Sequence, residues 1–287
     1  MARANIAGLL AIALWSSLAT LTVFSGNMPP FQLAACTFAI GGSLGFGVAI
    51  WRRDIGSLRQ PWQVWLLGVG GLFGYHALYF SALRHAPAAE AGLIAYLWPL
   101  LIVLLSCLEP GGRFGGRHLF GAVLGFTGAV TMLVGARTAN GEGVALQQRY
   151  LPGFSLALAA AFVWSSYSII SRRFRDVPTT AVTGFCLGTA VLALLCHLIF
   201  ETTVWPGELS SWLAILALGL GPVGAAFFAW DVGVKHGDIG FLGVSSYAAP
   251  AISTFLLILT GVATANSSLV MATVMIAAAA LVAAPRT

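Results

Sequence analysis

Ten apolar runs, each close to twenty residues long and separated by only a few polar positions, take up most of this chain. They fall near 5–25, 31–50, 62–83, 88–108, 117–136, 151–171, 179–200, 211–233, 239–260 and 266–285. The hydrocarbon core of a bilayer is about 30 Å thick, and about 20 helical residues cross it. The runs lack period-two alternation and are too long for barrel strands, so each reads as a helix. Asp, Glu, Lys and Arg together make up 8% of the 287 residues, against roughly 25% in a soluble domain. That is too little charge to coat a water-soluble globule, and the apolar content excludes a disordered chain. The fold class that follows is an all-α polytopic membrane protein with ten transmembrane helices and a lipid bilayer as its surroundings.

The breaks between runs are turn-forming and charged, as in Asn27-Met28-Pro29-Pro30, Arg52-Arg53-Asp54, Glu109-Pro110-Gly111-Gly112 and Trp205-Pro206-Gly207-Glu208. No loop is long enough for a soluble domain. The net charge of +5 sits at span ends and forms no stripe that could track phosphates, so nucleic acid is not expected as a partner. Ten spans with the N-terminus in the cytoplasm put 11 of the 14 basic residues inside, leaving Arg84, Arg137 and Arg149 outside. That bias predicts cytoplasmic N- and C-termini. The first run follows Arg3 but lacks a convincing cleavage site, so it is expected to remain as a helix. Cys36, Cys107, Cys186 and Cys196 lie in or beside apolar segments, with no disulfide framework and no metal-ligand spacing.

Two correspondences point to an internal repeat. Ala13-Leu14-Trp15-Ser16-Ser17 returns as Phe162-Val163-Trp164-Ser165-Ser166, 149 residues on. Arg84-His85 and Pro99 return as Lys235-His236 and Pro250, 151 residues on. The reading is two five-span halves, 1–140 and 141–287. Five is odd, so the second half enters from the opposite side and the repeats are inverted. Inverted repeats are a recurrent transporter architecture, with the solute site near the midplane at their interface.

Candidate lining residues follow from helical spacing. Tyr75, His76 and Tyr79 share one face of the third span. A midspan histidine is costly against lipid and should face the interior, where it suits a carboxylate or an amine. In the fourth span Tyr96 and Trp98 precede Pro99, and in the ninth Ser246 and Tyr247 precede Pro250. Proline removes a backbone donor and kinks a helix, freeing a carbonyl one turn earlier. Pro99, Pro250, Gly92 and Gly243 are therefore candidate hinge or gating positions. Trp15 and Trp164 lie several turns from any loop, and Tyr167 follows Trp164 by three. Trp51, Trp62, Trp65, Trp205 and Trp212 instead suit an interfacial aromatic belt. Packing without a solute remains the plain alternative for each of these residues.

The chemistry that is missing also narrows the function. No Asp or Glu stands at the centre of a span; Glu90 and Asp231 lie near ends, within reach of Arg84 and Lys235. No nucleotide loop, His-Glu-x-x-His motif or Gly-x-Ser-x-Gly elbow is present. Neither an enzyme nor a cofactor is expected. An integral membrane enzyme would need an acid–base or metal constellation that the chain does not offer, and a passive scaffold would need no paired helix bends.

The two Trp-Ser-Ser strings and the proline-bearing fourth and ninth spans resemble the drug/metabolite transporter superfamily, in its EamA-type branch. Tyr75-His76-Ala77-Leu78-Tyr79-Phe80 followed by Tyr96-Leu97-Trp98-Pro99-Leu100 is similar to its YddG group of bacterial inner-membrane amino acid exporters. The resemblance implies alternating access and a central cavity lined by spans one, three, four, six, eight and nine. It implies small-molecule partners, namely aromatic and other mostly neutral amino acids. It puts Tyr75, His76, Tyr79, Tyr96, Trp98, Trp164 and Tyr247 at that cavity, and Tyr167 and Ser246 join them by position. Another small metabolite or a drug on the same fold is the alternative cargo. A monomer is the working expectation.

Overall fold

The computed structural model describes residues 1–86, 88–106, 116–139 and 148–261, with six helical positions between 271 and 282. Among the described residues the ordered structure is helical throughout. The helices in chain order are α1 (Ala2–Ser16), α2 (Leu18–Phe24), α3 (Pro30–Trp51), α4 (Trp62–His85), α5 (Ala88–Ala95), α6 (Trp98–Ser106) and α7 (Gly116–Ala139). They continue as α8 (Leu151–Ser171), α9 (Val182–Phe200), α10 (Leu209–Leu220), α11 (Ala226–His236), α12 (Ile239–Ser245) and α13 (Ala248–Leu259). Among the described residues six stretches, Ala2–Phe24, Pro30–Trp51, Trp62–Leu83, Leu151–Phe174, Thr179–Phe200 and Leu209–His236, are long and apolar enough to cross a bilayer. The run near 266–285 lies mostly outside the described residues.

Proline and glycine set many of the boundaries. Pro30 opens α3 and Pro152 lies in the first turn of α8, where the missing donor costs nothing. Gly26, at φ 79°, follows α2, in the left-handed region that glycine tolerates best. The Asp238 carboxylate caps α12 by accepting from the Phe241 amide at 3.0 Å. A more distant cap closes α3. The Glu201 carboxylate, after α9, accepts from the Phe31 and Gln32 amides at 3.1 Å. Amides at a helix N-terminus lack intrahelical partners and favour an anion. Glu201 is held in turn by His197 Nδ1 at 3.0 Å.

Among the described residues four of the apolar runs are not single helices. The first breaks at Ser17, whose hydroxyl donates to the Leu14 carbonyl at 2.7 Å. The eighth passes through a π-helical turn, Gly221–Ala225, between α10 and α11. The fourth breaks at Tyr96–Leu97 and the ninth at Ser246–Tyr247. At both of these the backbone tightens to a three-residue bond, Leu97 N–H to Ile94 O at 3.0 Å and Tyr247 N–H to Val244 O at 3.1 Å. Each break lies just ahead of Pro99 or Pro250, where proline cannot bond back to the previous turn.

Helices pack closely where side chains vanish. A Cβ on Gly41 of α3 would stand 2.7 Å from the Gly224 Cα, so the two backbones touch, as small residues permit inside membranes. The principal pairings are α3 with α9, α4 with α8 and α1 with α11. The outward surface is apolar: Ile199 is 70% exposed, Phe200 64% and Leu259 65%. In water such a band would aggregate, whereas lipid solvates it. Trp51, Trp62, Trp205 and Trp212 are exposed, as a belt requires. Trp65 is not, because it packs edge-on against Phe185 across α4 and α9.

Candidate functional site

Six segments converge on a cluster of aromatic rings. Trp15 of α1 contacts Trp164 of α8 at 5.5 Å between ring centroids, and Trp230 of α11 at 5.1 Å. Trp98 of α6 reaches Trp164 at 6.3 Å and Trp230 at 5.9 Å. Tyr75 of α4 lies 5.6 Å from Trp164 and stacks on Tyr79 at 5.9 Å. Phe38 of α3 and Phe227 of α11 stack at 5.5 Å and complete one side.

Hydrogen bonds orient these rings. The Trp15 indole donates to the Pro222 carbonyl at 2.9 Å. That carbonyl lies in the π turn, a wound segment typical of functional positions. The Trp230 indole donates to Ser168 Oγ at 3.1 Å. Ser165 Oγ sits 2.6 Å from the Ala161 carbonyl and 3.0 Å from that of Trp98. A hydroxyl has one proton to donate, so the two carbonyls share it, and α8 is tied to the first turn of α6. His76 Nδ1 lies 2.7 Å from the Leu72 carbonyl, one turn earlier.

Burial divides the cluster into a floor and a wall. Trp98, Trp164, Tyr167 and Trp230 are buried, the last completely. Tyr75, His76, Tyr79, Phe80, Tyr96 and Trp15 are only half-buried. Tyr75, Tyr79 and Tyr96 are within electrostatic reach of one another, and their hydroxyls have no protein hydrogen bond among the described residues. Beneath the floor Asp231 and Lys235 form a buried ion pair at 2.9 Å, as their spacing predicts. Thr179 Oγ1 donates to Asp231 at 2.7 Å, and Lys235 also donates to the Val177 carbonyl at 2.9 Å. Among the described residues no cluster of His, Cys, Asp or Glu could hold a metal.

Of the residues expected at the site, Tyr75, His76, Tyr79, Trp98, Trp164 and Tyr167 join one network of touching rings. Gly92 lies under the Tyr79 hydroxyl, 3.6 Å from where its Cβ would be. Gly243 lies against the Pro99 carbonyl at 3.2 Å, measured likewise, so α12 crosses α6 at the proline. Pro250 is the third residue of α13. Tyr247 sits in a separate cluster, against Gly125 and Phe126 of α7, and Ser246 Oγ donates back to the Leu242 carbonyl. Phe38, Phe80, Phe227 and Trp230 belong to the cluster without having been singled out as site residues. Trp230 carried a signal in its neighbour Asp231 late in the eighth span, while Phe38 and Phe227 look like any other apolar residue until three helices bring them together.

An α-helical membrane protein with a half-buried cluster of aromatic rings between packed helices has the form of a solute carrier. The chain belongs to the EamA-like transporter family, whose sequence profile matches residues 2–134 and again residues 151–284. It is therefore a transporter and not an enzyme. It is 53% identical over 281 residues, 98% of this chain and 96% of the other, to the aromatic amino acid exporter YddG of Ancylobacter novellus. It is 27% identical to the protein of that name from Escherichia coli, over 88% of this chain and 87% of the other. A crystal structure 52% identical in sequence superposes with a TM-score of 0.94, covering 99% of this chain and 96% of that one.

Proposed function

We propose that the protein exports amino acids, aromatic and other mostly neutral ones, across a bacterial inner membrane by alternating access. The observation that carries this reading is the ring cluster itself. It is closed below by Trp98, Trp164 and Trp230 and lined above by half-buried tyrosines with unused hydroxyls. Apolar walls with a few convergent polar groups suit a small solute with an apolar side chain. The 53% identity to an aromatic amino acid exporter agrees with it.

The carrier has ten spans in two inverted halves, 1–140 and 141–287, with both termini cytoplasmic, and it acts as a monomer. Pairing of helices supports the halves. α1 packs on α11 and α8 packs on α4, and these pairs exchange when each helix is replaced by its counterpart about 150 residues away. α3 on α9 maps onto itself. The helix breaks at 96–97 and 246–247 fall at the same spacing. Exchange of the two halves' shapes would open the cavity to one side and then the other, with bending at Pro99, Gly92, Gly243 and Pro250. Tyr75, His76, Tyr79, Tyr96, Trp98, Trp164 and Tyr167 line the path, with Ser246 and Tyr247 at the ninth-span break beside it.

Purified protein in liposomes loaded with labelled amino acids, purines, sugars and cationic drugs tests this. Phenylalanine and tryptophan should exchange, and Trp98→Ala should lower their flux at least about tenfold while the protein remains folded. Exchange of a non-amino-acid solute alone would transfer the reading to another metabolite.

A further inference from the structure

An amino acid offers the cavity two charged groups, and the hydrogen bond made by His76 distinguishes them. The Leu72 carbonyl 2.7 Å from Nδ1 can only accept, so Nδ1 carries the proton. In the neutral ring Nε2 is then a lone-pair acceptor. It has no protein hydrogen bond among the described residues, and the His76 residue is only half-buried. Four aromatic rings surround the imidazole: Phe38 at 5.0 Å, Tyr75 at 5.3 Å, Phe80 at 5.8 Å and Phe227 at 6.3 Å. Among the described residues no charged side chain pairs with it. A carboxylate placed here would meet a lone pair and π density, both repulsive. An ammonium would find an acceptor and an aromatic box, the surroundings that attract organic cations. One turn along, the hydroxyls of Tyr79 and Tyr96 can donate to a carboxylate.

We propose that the cavity selects its solutes by a free ammonium group, which donates to His76 Nε2 inside the box of Phe38, Tyr75, Phe80 and Phe227. The proposal rests on the amino acid reading above and gives that reading a specificity. Any solute lacking an amine loses its principal hold, whatever its side chain. Phenylalanine needs no side-chain donor to bind, so a hydrogen bond from an indole or a phenol is not the requirement.

The test is counterflow of labelled phenylalanine in proteoliposomes, with competition by phenylalanine methyl ester, 2-phenylethylamine, N-acetylphenylalanine and 3-phenylpropionate. The ester should compete within about threefold of phenylalanine. The two amine-free compounds should be weaker by about ten- to a hundredfold, the worth of one hydrogen bond to a charged group. His76→Gln, which keeps an acceptor, should retain most of this preference, and His76→Leu should collapse it to within about threefold. Size-exclusion profiles establish that both variants are folded; a misfolded His76→Leu leaves the competition series in the natural protein to decide. Equal competition by N-acetylphenylalanine, or an unchanged preference in a folded His76→Leu, would overturn the ammonium assignment alone. Absence of phenylalanine counterflow would overturn the amino acid reading and the proposal with it.

Discussion

Two helix crossings in this molecule share a backbone plan and differ in chemistry. At one, Gly8 of α1 meets Gly233 of α11 and Leu242 of α12; a Cβ on Gly233 would stand 2.8 Å from the Gly8 Cα. At the other, 149 to 151 residues away in sequence, Ala157 of α8 packs with Ala82 of α4 and Ala91 of α5, all without exposed surface. The glycine crossing is bound by polar groups. Asn5 Oδ1 accepts from the Asp238 amide at 2.7 Å, Arg172 donates to the Val234 carbonyl at 2.8 Å, and the Asp231–Lys235 pair lies beside it. At the alanine crossing no described side chain makes a hydrogen bond between α8 and α4. Among the described residues the same geometry is therefore held by directed bonds at one end and by apolar contact at the other. Buried polar networks define one arrangement and fail abruptly, whereas a dry alanine contact can slide. The difference teaches that, among the described residues, the end bearing the ion pair is the more firmly bound of the two.

The strongest way to break that comparison is Lys235→Met. It leaves Asp231 buried without its partner, which should cost about 3–5 kcal/mol, read as a lower thermal midpoint. Asp231→Asn in the same chain should recover most of the loss. A single variant as stable as the parent would mean that the pair is hydrated and holds nothing together there. Next comes Gly233→Ala. Its methyl group meets backbone rather than a flexible side chain, so the helices must part, at about 1–3 kcal/mol. Reactivity of a cysteine placed at Tyr167 should rise from the side bearing Lys235; unaltered labelling would refute a seal there.

Pro99→Ala and Pro250→Ala sharpen the comparison between the two halves. Each restores a backbone donor and should straighten its helix, shifting thermal stability by only about 1 kcal/mol while changing which side of the cavity labels. Equal labelling before and after would count against bending at these positions. The smallest effect belongs to Asp54, outside the spans, where Ser57 and Thr180 hydroxyls donate to its carboxylate. Those bonds hold its carboxyl below the usual range, the Ser57 bond first. Their contribution is therefore present above the ordinary Asp value of about 3.9 and fades as pH falls through the lowered one. Asp54→Asn should flatten that acid limb of the unfolding curve and leave the neutral thermal midpoint within about 1 °C, an exposed site's share.

Much of the site could be read from spacing. Tyr75, His76 and Tyr79 share a helix face by arithmetic, and the repeated Trp-Ser-Ser singled out Trp15 and Trp164, whose rings do touch. The prolines marked where two spans would break. Phe38 and Phe227 could not be found this way, because each is one apolar residue in a long apolar run. Neither could the Pro222 carbonyl that anchors Trp15, since it depends on a π turn between α10 and α11. Tyr247 shows what spacing leaves open: its place beside Pro250 is legible in the sequence, but its contact with Phe126 of α7 is set by packing.

Hydropathy alone determined that this chain lives in lipid and is built from helices, because a bilayer admits no unpaired backbone and the apolar runs have the length to cross it. Periodicity alone determined which polar residues share a face. Which faces meet was decided by tertiary packing. In lipid an apolar side chain gains little by turning inward, so hydrophobic pattern does not orient a helix about its axis. Close approach at glycine and alanine, together with a few long-range hydrogen bonds, sets that rotation, and those partners lie too far apart in sequence to announce one another.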